Sequence, residues 1–535
     1  MTRAVWNARH SWQRANFVNA PNGRLVLIAM MISVRRCAFG ALLGLVATTA
    51  LACSESTNSG GTGDLPVAPS YQAFATAFDQ ERQEQGIPGA AVALIEQGQM
   101  TFAHGFGTCG PNSKQPVDAN TLFRIGSMTK VLTATALLGA IGTAGVGLDA
   151  TLTSIVPDVA TNDSSNMSAL TMRQLLSHQS GLHDYLSVDG PKDDEALSRY
   201  LTSPDFASDE YFMAPPGTFY NYSNPDYYLA GLALERLGGV PYRDSVKERV
   251  FTPLGMSRTF FLPSEVRSDG NFSNGTSTKD DGSPWDVSPD AYDNAWARPA
   301  GYAFTSVLDY AKFVQFLDVG NPKVLADSER EALQTPQVNM LEIGGVAANI
   351  EGYGFGLVVQ QEFQVDANTY VAKLVCHDGS IPGFTSLFCL VPSTGFGILW
   401  FANADAASFG KSLVLAMKSF AGLTNPTTIP PSGLAVDYSL FAAYAGTYND
   451  PHQFGDMTVT ASGTALSIDI PSLNASNTPY DHLLEPTTMD NFVLTAQGVP
   501  QSQLTFIADP SGSYVWLRMR EAVAKRVVNA ATTTP

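Results

Sequence analysis

A serine and a lysine stand three residues apart at the start of an apolar segment. The stretch FRIGSMTKVLTATALLG (123–139) contains Ser127 and Lys130. If Ser127 begins a helix, positions i and i+3 share a face, so the lysine amine can reach the serine hydroxyl. Burial lowers the pKa of an amine, and the neutral amine can then accept a proton. Because a serine hydroxyl alone is a poor nucleophile, we predict that Lys130 activates Ser127.

The same spacing occurs a second time in the chain, at Ser408 and Lys411. The pattern alone is therefore a weak indication of chemistry. This second copy follows the last predicted strand of its domain, and no tyrosine or glycine motif comes after it. We interpret it as the solvated start of a helix.

A tyrosine and an asparagine in PPGTFYNYSNPDYYLAG (215–231) form a second candidate motif. A phenol held near two cations can lose its proton, so Tyr222 is a candidate base and later acid. The amide of Asn224 can hold a substrate carbonyl and bond the lysine. A rival Tyr-Asp-Asn triplet at 292–294 lacks both the preceding Pro-Gly turn and the following apolar helix.

The third candidate motif, in VCHDGSIPGF (375–384), places His377, Gly379 and Ser380 at the end of a predicted strand. Glycine allows a backbone to approach a ligand closely. The Ser380 N–H, opposite that of Ser127, can then complete a pair of donors for an oxyanion. We predict no metal site, because the seven histidines are scattered along the chain and lack a nearby set of acidic ligands.

The elements that would position these residues alternate along the chain. Two strands are predicted in AAVALIEQGQMTFAHGFG (90–107), then mainly helices and loops to about residue 350, then strands again from 355 to 405. This order predicts an α+β fold in which one antiparallel sheet, built from both ends, is flanked by helices and carries a mainly helical insert. After the proline-rich stretch 424–433, alternating apolar and polar residues predict a small antiparallel β-barrel.

At this point the sequence resembles the superfamily of serine β-lactamases and penicillin-binding proteins. The resemblance covers residues 71–425 and includes LFRIGSMTK, LTMRQLLSHQSGLHDY, PGTFYNYSN and HDGSIPGFTS. It is closest to the branch of class C β-lactamases, D-alanyl-D-alanine carboxypeptidases and family VIII esterases. The family often has Lys-Thr-Gly where this chain has His-Asp-Gly, which argues against a dedicated β-lactamase. The segment after residue 431 resembles the small barrel that follows many such hydrolases.

The resemblance implies a β-lactamase-like fold and a covalent acyl-serine intermediate, with no metal or organic cofactor. Ser127 would attack a substrate carbonyl while Lys130 and Tyr222 share the proton. Asn224 and His377 would orient the substrate. The resemblance implies a small-molecule substrate and leaves three activities open: esterase, D-amino-acid peptidase and β-lactamase. A further alternative is a cell-wall-binding protein that β-lactams acylate and that deacylates slowly.

The start of the chain predicts export. The stretch MISVRRCAFGALLGLVATTALACSES (31–56) has a basic segment, an apolar run and small residues, the order of a secretory signal. Its apolar run is short for a membrane span. Two fates are open: ordinary cleavage after Ala52, or lipid attachment to Cys53. A Ser/Gly-rich tether follows. We expect a periplasmic or extracellular protein, with membrane attachment in the lipidated case.

Charge and cysteine positions add two further predictions. The net charge of −18 disfavours nucleic acid as a partner, because like charges repel. Cys376 and Cys389 flank a predicted strand-loop-strand unit, so they form either a disulfide or a pair of free thiols. The predicted domains are an N-terminal extension with the signal (1–52), the tether (53–70), the hydrolase-like domain (71–425), a linker (426–433) and the barrel (434–535).

Overall fold

The computed structural model describes residues 63–279, 283–340, 351–427 and 436–527. The predicted signal segment, Cys53 and most of the predicted linker lie outside these ranges. Within them, no helix combines the length and apolar character needed to cross a membrane.

An eight-stranded antiparallel sheet forms the centre of the larger domain. Its strands, in chain order, are β1 (Gly89–Glu96), β2 (Gln99–Gly107), β3 (Val338–Asn339), β4 (Glu351–Tyr353), β5 (Val358–Gln360), β6 (Leu374–Ile381), β7 (Phe384–Val391) and β8 (Phe396–Ala402). Their spatial order is β2-β1-β8-β7-β6-β5-β4-β3. Strands β1 and β8 pair antiparallel from Ala90 opposite Ala402 to Ile95 opposite Gly397, so the two ends of the domain meet in one sheet. The predicted α+β architecture is confirmed.

Both faces of the sheet are covered, which explains why its strands are almost continuously apolar. Successive side chains of a strand point to opposite faces. Along β1, Val92 and Leu94 pack in the cluster that contains Phe78 and Leu413. Ala91, Ala93 and Ile95 face the larger cluster formed with the helical insert.

Five longer helices cover the sheet and fill the insert. They are α1 (Gln72–Glu84), α2 (Thr129–Ala144), α3 (Asn224–Gly238), α4 (Val307–Val319) and α5 (Gly410–Phe420). Helices α2 and α3 end at Gly145 and Gly239, whose positive φ angles of 66° and 68° suit a glycine cap. Helix α2 lies in the interior, since every residue from Thr129 to Leu138 is buried and most of them are apolar.

Short helical segments and ribbons complete the larger domain. The short α-helices are Leu152–Ile155, Ser164–Ala169, Met172–Leu176, Ala196–Leu201, Pro204–Asp209, Tyr242–Val246, Thr252–Leu254, Pro263–Asp269, Arg298–Gly301 and Asp327–Leu333, and a π-helical turn spans Lys247–Phe251. The two-stranded ribbons are Phe123–Arg124 with Phe304–Thr305, Gly275–Thr278 with Pro284–Val287, and Phe363–Val365 with Asn368–Tyr370. The first ribbon leads directly into the segment that carries Ser127.

The C-terminal part is a second eight-stranded antiparallel sheet. Its strands are β9 (Gly446–Asp450), β10 (Gly455–Ser462), β11 (Ala465–Asp469), β12 (Glu485–Thr488), β13 (Asn491–Ala496), β14 (Val499–Ala508), β15 (Tyr514–Arg518) and β16 (Val523–Arg526), in the order β11-β10-β9-β16-β15-β14-β13-β12. The Leu484 N–H donates to the Leu466 carbonyl at 2.9 Å, so the edges nearly close. The sheet curls around its own apolar cluster. The predicted barrel-like fold is confirmed.

Candidate active site

Ser127 lies in a 3-10 turn, Gly126–Met128, at the start of helix α2. Gly126 has a positive φ of 49°, a conformation that glycine adopts without strain. A Cβ atom on Gly126 would lie only 2.7 Å from the backbone nitrogen of Ser380. The glycine therefore lets the turn that carries Ser127 pack directly against strand β6.

Lys130 follows one helical turn later, and its side chain is completely buried. Its Nζ is 3.2 Å from Ser127 Oγ, 2.7 Å from Asn224 Oδ1 and 2.7 Å from the Ala300 carbonyl oxygen. A neutral amine has two N–H donors and one lone pair. Because the amide and carbonyl oxygens can only accept hydrogen bonds, they hold the two donors and leave the lone pair for the Ser127 proton.

The burial of Lys130 changes its acidity. Loss of hydration lowers its pKa from the ordinary value of 10.5 to about 7. The carboxylates of Asp184 and Asp378 oppose this shift, and Arg520 adds to it. Near neutral pH, a large fraction of Lys130 is therefore an uncharged amine. The structure places this amine where the sequence predicted a base.

Tyr222 approaches Ser127 from the loop that precedes helix α3. Its hydroxyl donates to Ser127 Oγ at 2.8 Å. Burial raises the pKa of Tyr222, although Arg520 partly opposes the effect. The phenol therefore keeps its proton at neutral pH. This environment disfavours the phenolate base considered from the sequence, whereas the protonated hydroxyl can still donate to Ser127.

Asn224 is the first residue of helix α3 and connects the lysine to a carboxylate. Its backbone N–H and its Nδ2 donate to Asp184 Oδ1 at 2.8 and 2.9 Å. Its Oδ1 accepts from Lys130. Of the two contacts predicted for the Asn224 amide, the lysine contact is present. Asp184 was not singled out from the sequence, although it lies within the stretch SHQSGLHDY (177–185).

Strand β6 brings the third motif beside the serine. The Gly379 backbone passes so near Ile125 that a Cβ atom would lie 1.9 Å from the Ile125 carbonyl oxygen. Ser380 is exposed, and its backbone nitrogen faces the Gly126 turn. The predicted oxyanion pair of Ser127 and Ser380 N–H groups is compatible with this packing and stays a prediction.

His377 also lies in strand β6, with its side chain directed into the interior. Its side chain is only 2% exposed, and its Nε2 lies 3.1 Å from the Tyr353 hydroxyl. Burial lowers its pKa to about 3, so the ring is neutral. This burial disfavours a direct contact between His377 and a substrate, and the predicted part of His377 in orienting the substrate stays a prediction. We interpret the ring as a support for strand β6.

A buried histidine and aspartate lie behind Tyr222, and sequence reasoning missed their role. His178 Nδ1 is 2.8 Å from Asp226 Oδ2, and the His178 ring centre is 4.3 Å from that of Tyr222. Burial holds the pKa of His178 well below and that of Asp226 well above their ordinary values. The pair therefore supports the Tyr222 ring without a net charge.

Strands β6 and β7 place Cys376 opposite Cys389, and the two sulfurs form a disulfide. The described ranges contain no group of three or more histidine, cysteine, aspartate or glutamate side chains suited to a metal ion.

The sequence profile of the Beta-lactamase family matches residues 74–417. The chain belongs to the beta-lactamase family. This is a family of serine hydrolases, and the three motifs described above all lie within the matched segment.

Three known proteins illustrate the likeness. Penicillin-binding protein 4 from Amycolatopsis lactamdurans is 26% identical over 382 residues, which cover 69% of this chain and 95% of that protein. The D-amino acid amidase from Ochrobactrum anthropi SV3 is 25% identical with a TM-score of 0.53, covering 66% of this chain and 97% of that one. SurE, solved with D-Leu, is 20% identical with a TM-score of 0.62, covering 86% and 99%, and supports the fold alone.

Proposed function

We propose that the protein is a serine hydrolase that forms a covalent acyl ester on Ser127 from amide or ester substrates. The observation that carries this proposal is the position of Ser127 Oγ, 2.8 Å from the Tyr222 hydroxyl and 3.2 Å from Lys130 Nζ. A nucleophile within hydrogen-bonding reach of a base that is itself oriented by third groups is the arrangement covalent catalysis requires. Here the orienting groups are Asn224 and the Ala300 carbonyl.

In the proposed mechanism, neutral Lys130 takes the Ser127 proton as Oγ attacks the substrate carbonyl carbon. The N–H groups of Ser127 and Ser380 stabilise the oxyanion. Tyr222 passes its proton to the departing amine or alcohol and regains one from the Lys130 ammonium. A water molecule then loses a proton to the same pair and attacks the acyl carbon; the bond from that carbon to Ser127 Oγ breaks, the acid leaves, and Oγ takes the proton back from the pair.

We further propose D-amino acid amides and short peptides with a D-residue as the substrate class. Two features support this choice: the likeness to the D-amino acid amidase, and the His-Asp-Gly motif at 377–379 in place of Lys-Thr-Gly, which argues against a dedicated β-lactamase. A position outside the cytoplasm, with or without lipid on Cys53, is part of the same proposal and rests on the signal-like sequence 31–56. Mass spectrometry of the mature N-terminus tests that part.

A substrate panel tests the proposed class. It contains D- and L-phenylalanine amides, D-alanyl peptides, p-nitrophenyl esters and a chromogenic cephalosporin. We expect turnover of the D-amide and of the esters, and little turnover of the L-amide. Faster turnover of the cephalosporin would contradict the proposed class. A stable acyl adduct without turnover would instead support the slowly deacylating binding protein.

The nucleophile itself is tested with a fluorophosphonate probe and intact-protein mass spectrometry. We expect one adduct on the unmodified protein and none on Ser127→Ala. Ser408→Ala is the matched control, because it removes the serine of the second copy of the motif, and it should label normally. Labelling that persists in Ser127→Ala would contradict the assignment.

A further inference from the structure

The C-terminal barrel packs against the segment that leads to Tyr222. Met213, Ala214 and Phe219 of the larger domain form one apolar cluster with Val523 and its neighbours in the barrel. The Phe219 ring meets that of Trp516 edge-on, with centres 5.8 Å apart. A second contact stacks Tyr211 on His452 of the barrel, with ring centres 3.9 Å apart. The loop that carries Tyr222 is therefore held from the barrel side.

The turn between β15 and β16 extends this contact to the active site. The Arg520 guanidinium donates through Nε to Asp184 Oδ2 at 2.9 Å, and Nη2 is 2.7 Å from the same oxygen. Its Cζ lies 4.4 Å from the centre of the Tyr222 ring, within the range of a cation–π contact. One side chain of the barrel thus touches two groups of the candidate active site.

Backbone and side-chain contacts fix the position of this turn. Asn221, the neighbour of Tyr222, donates through Nδ2 to the Arg520 carbonyl at 3.1 Å. Its Oδ1 accepts from Arg518 Nε at 2.9 Å. Both polar ends of the Asn221 amide are thus bonded to the barrel. Arg518 and Asn221 are each 1% exposed, so this contact is well shielded from water.

Asp184 links Arg520 to Lys130 through Asn224. Its second oxygen accepts from the backbone and amide of Asn224, and Asn224 in turn accepts from Lys130. A continuous chain of hydrogen bonds therefore runs from Arg520 through Asp184 and Asn224 to Lys130. The Asp184 side chain is 11% exposed, and that of Arg520 is 28% exposed.

We propose that Arg520 is a positioning residue through which the barrel completes the active site, because it fixes Asp184 and the Tyr222 ring. The proposal rests on the proposed function, in which Ser127 is the nucleophile. Removal of the Arg520 side chain removes its hydrogen bonds to Asp184 and its cation–π contact with the Tyr222 ring. The reacting groups would then lose alignment even though no contact with the substrate is removed.

The positive charge of Arg520 should affect how the reaction rate depends on pH. The charged and titratable groups around Lys130 and Tyr222 are Asp184, Asp226, Asp378, Arg520, His178, His377, Tyr227 and Tyr353. Among them, the Arg520 charge lowers the pKa of both Lys130 and Tyr222. Without this charge, Lys130 holds its proton to a higher pH. The acidic limb of the rate profile must therefore move upward in pH.

The test compares Arg520→Met, Arg520→Lys and the control Lys525→Met. Lys525 also lies over an aromatic ring of the barrel, 5.3 Å from the centre of Trp516, and is not among the groups that shift the pKa of Lys130 or Tyr222. The rate of fluorophosphonate acylation is measured from pH 5 to 9 on full-length proteins whose melting curves show folding. We expect Arg520→Met to be slower by about tenfold or more at pH 7 with its acidic limb moved upward, on the scale of a lost orienting contact. Arg520→Lys should recover part of both effects, and Lys525→Met should match the unmodified protein.

Two further measurements distinguish positioning of the active site by Arg520 from direct binding of an anionic substrate. If Arg520 acts through Asp184, the double variant Asp184→Asn/Arg520→Met should be no slower than the slower single variant. With a neutral ester substrate, kcat should fall in Arg520→Met. An unchanged acylation rate and pH profile in Arg520→Met would overturn the proposal, as would a defect confined to the KM of anionic substrates. Failure of the unmodified protein to label at all would instead contradict the proposed function.

Discussion

The chain contains two serines that each precede a lysine by three residues, and their surroundings differ in almost every respect. Lys130 is completely buried, whereas the Lys411 side chain is 73% exposed. Lys130 Nζ lies near the hydroxyl of its own serine, while Lys411 Nζ is 2.8 Å from Glu84 on helix α1. The Ser408 backbone, in turn, bonds to the Gln85 side chain.

The pKa values of the two lysines are consequently shifted in opposite directions. Burial brings the pKa of Lys130 to about 7, whereas the hydrogen bond that Lys411 donates to Glu84 raises the pKa of this solvated lysine. The spacing supplies one helical turn in each case, but the spacing alone does not create a base. The proposed base requires neighbouring segments that exclude water and bring oxygen acceptors to the amine, which for Lys130 are Asn224 of α3 and the Ala300 carbonyl of the short helix Arg298–Gly301.

The largest expected contrast comes from removing each amine. Lys130→Met should slow acylation of Ser127 by about 10³-fold, because the general base is lost. Lys411→Met should acylate within about twofold of the unmodified protein, because a solvated ion pair contributes little. Rates of fluorophosphonate labelling measure both. Equal effects of the two substitutions would contradict the distinction.

A smaller effect is expected from Tyr222→Phe, which keeps the ring but removes the proton relay. We expect acylation to slow by about 10²-fold, since Lys130 can still reach Ser127 directly. Tyr370→Phe, which changes a tyrosine on a short ribbon away from Ser127, is the control and should have no effect. A Tyr222→Phe variant as slow as Lys130→Met would mean that the proton moves only through the phenol.

The smallest contrast compares the glycines beside the two motifs. Gly126→Ala places a Cβ against the Ser380 nitrogen at a positive φ, which costs about 1–2 kcal/mol for a non-glycine residue. We expect a lower melting temperature and acylation slowed by about tenfold, as the turn moves away from β6. At Gly410 the nearest atom to a new Cβ is Ser408 Oγ at 3.8 Å, so Gly410→Ala should be tolerated. Equal melting temperatures and rates in the two variants would contradict this role for Gly126.

The sequence was sufficient for those parts of the molecule that depend on local patterns. Alternating and continuous apolar runs predict the strands, and the order of the three motifs predicts that Ser127, Lys130 and Tyr222 meet. The protonation of Tyr222 and the burial of His377 could not be predicted, because both depend on how completely neighbouring segments exclude water. Arg520 was missed because its position follows from the docking of two domains, and no local signal marks it.

The central claim is that the same spacing gives one neutral amine and one ordinary ammonium group. It is tested most directly by an NMR titration of the protein with ¹³C-labelled lysine side chains. We expect one lysine signal with a midpoint at about pH 7, present in Lys411→Met and absent from Lys130→Met. If every lysine signal titrates near or above its ordinary value of 10.5, Lys130 is charged at neutral pH and the account is contradicted.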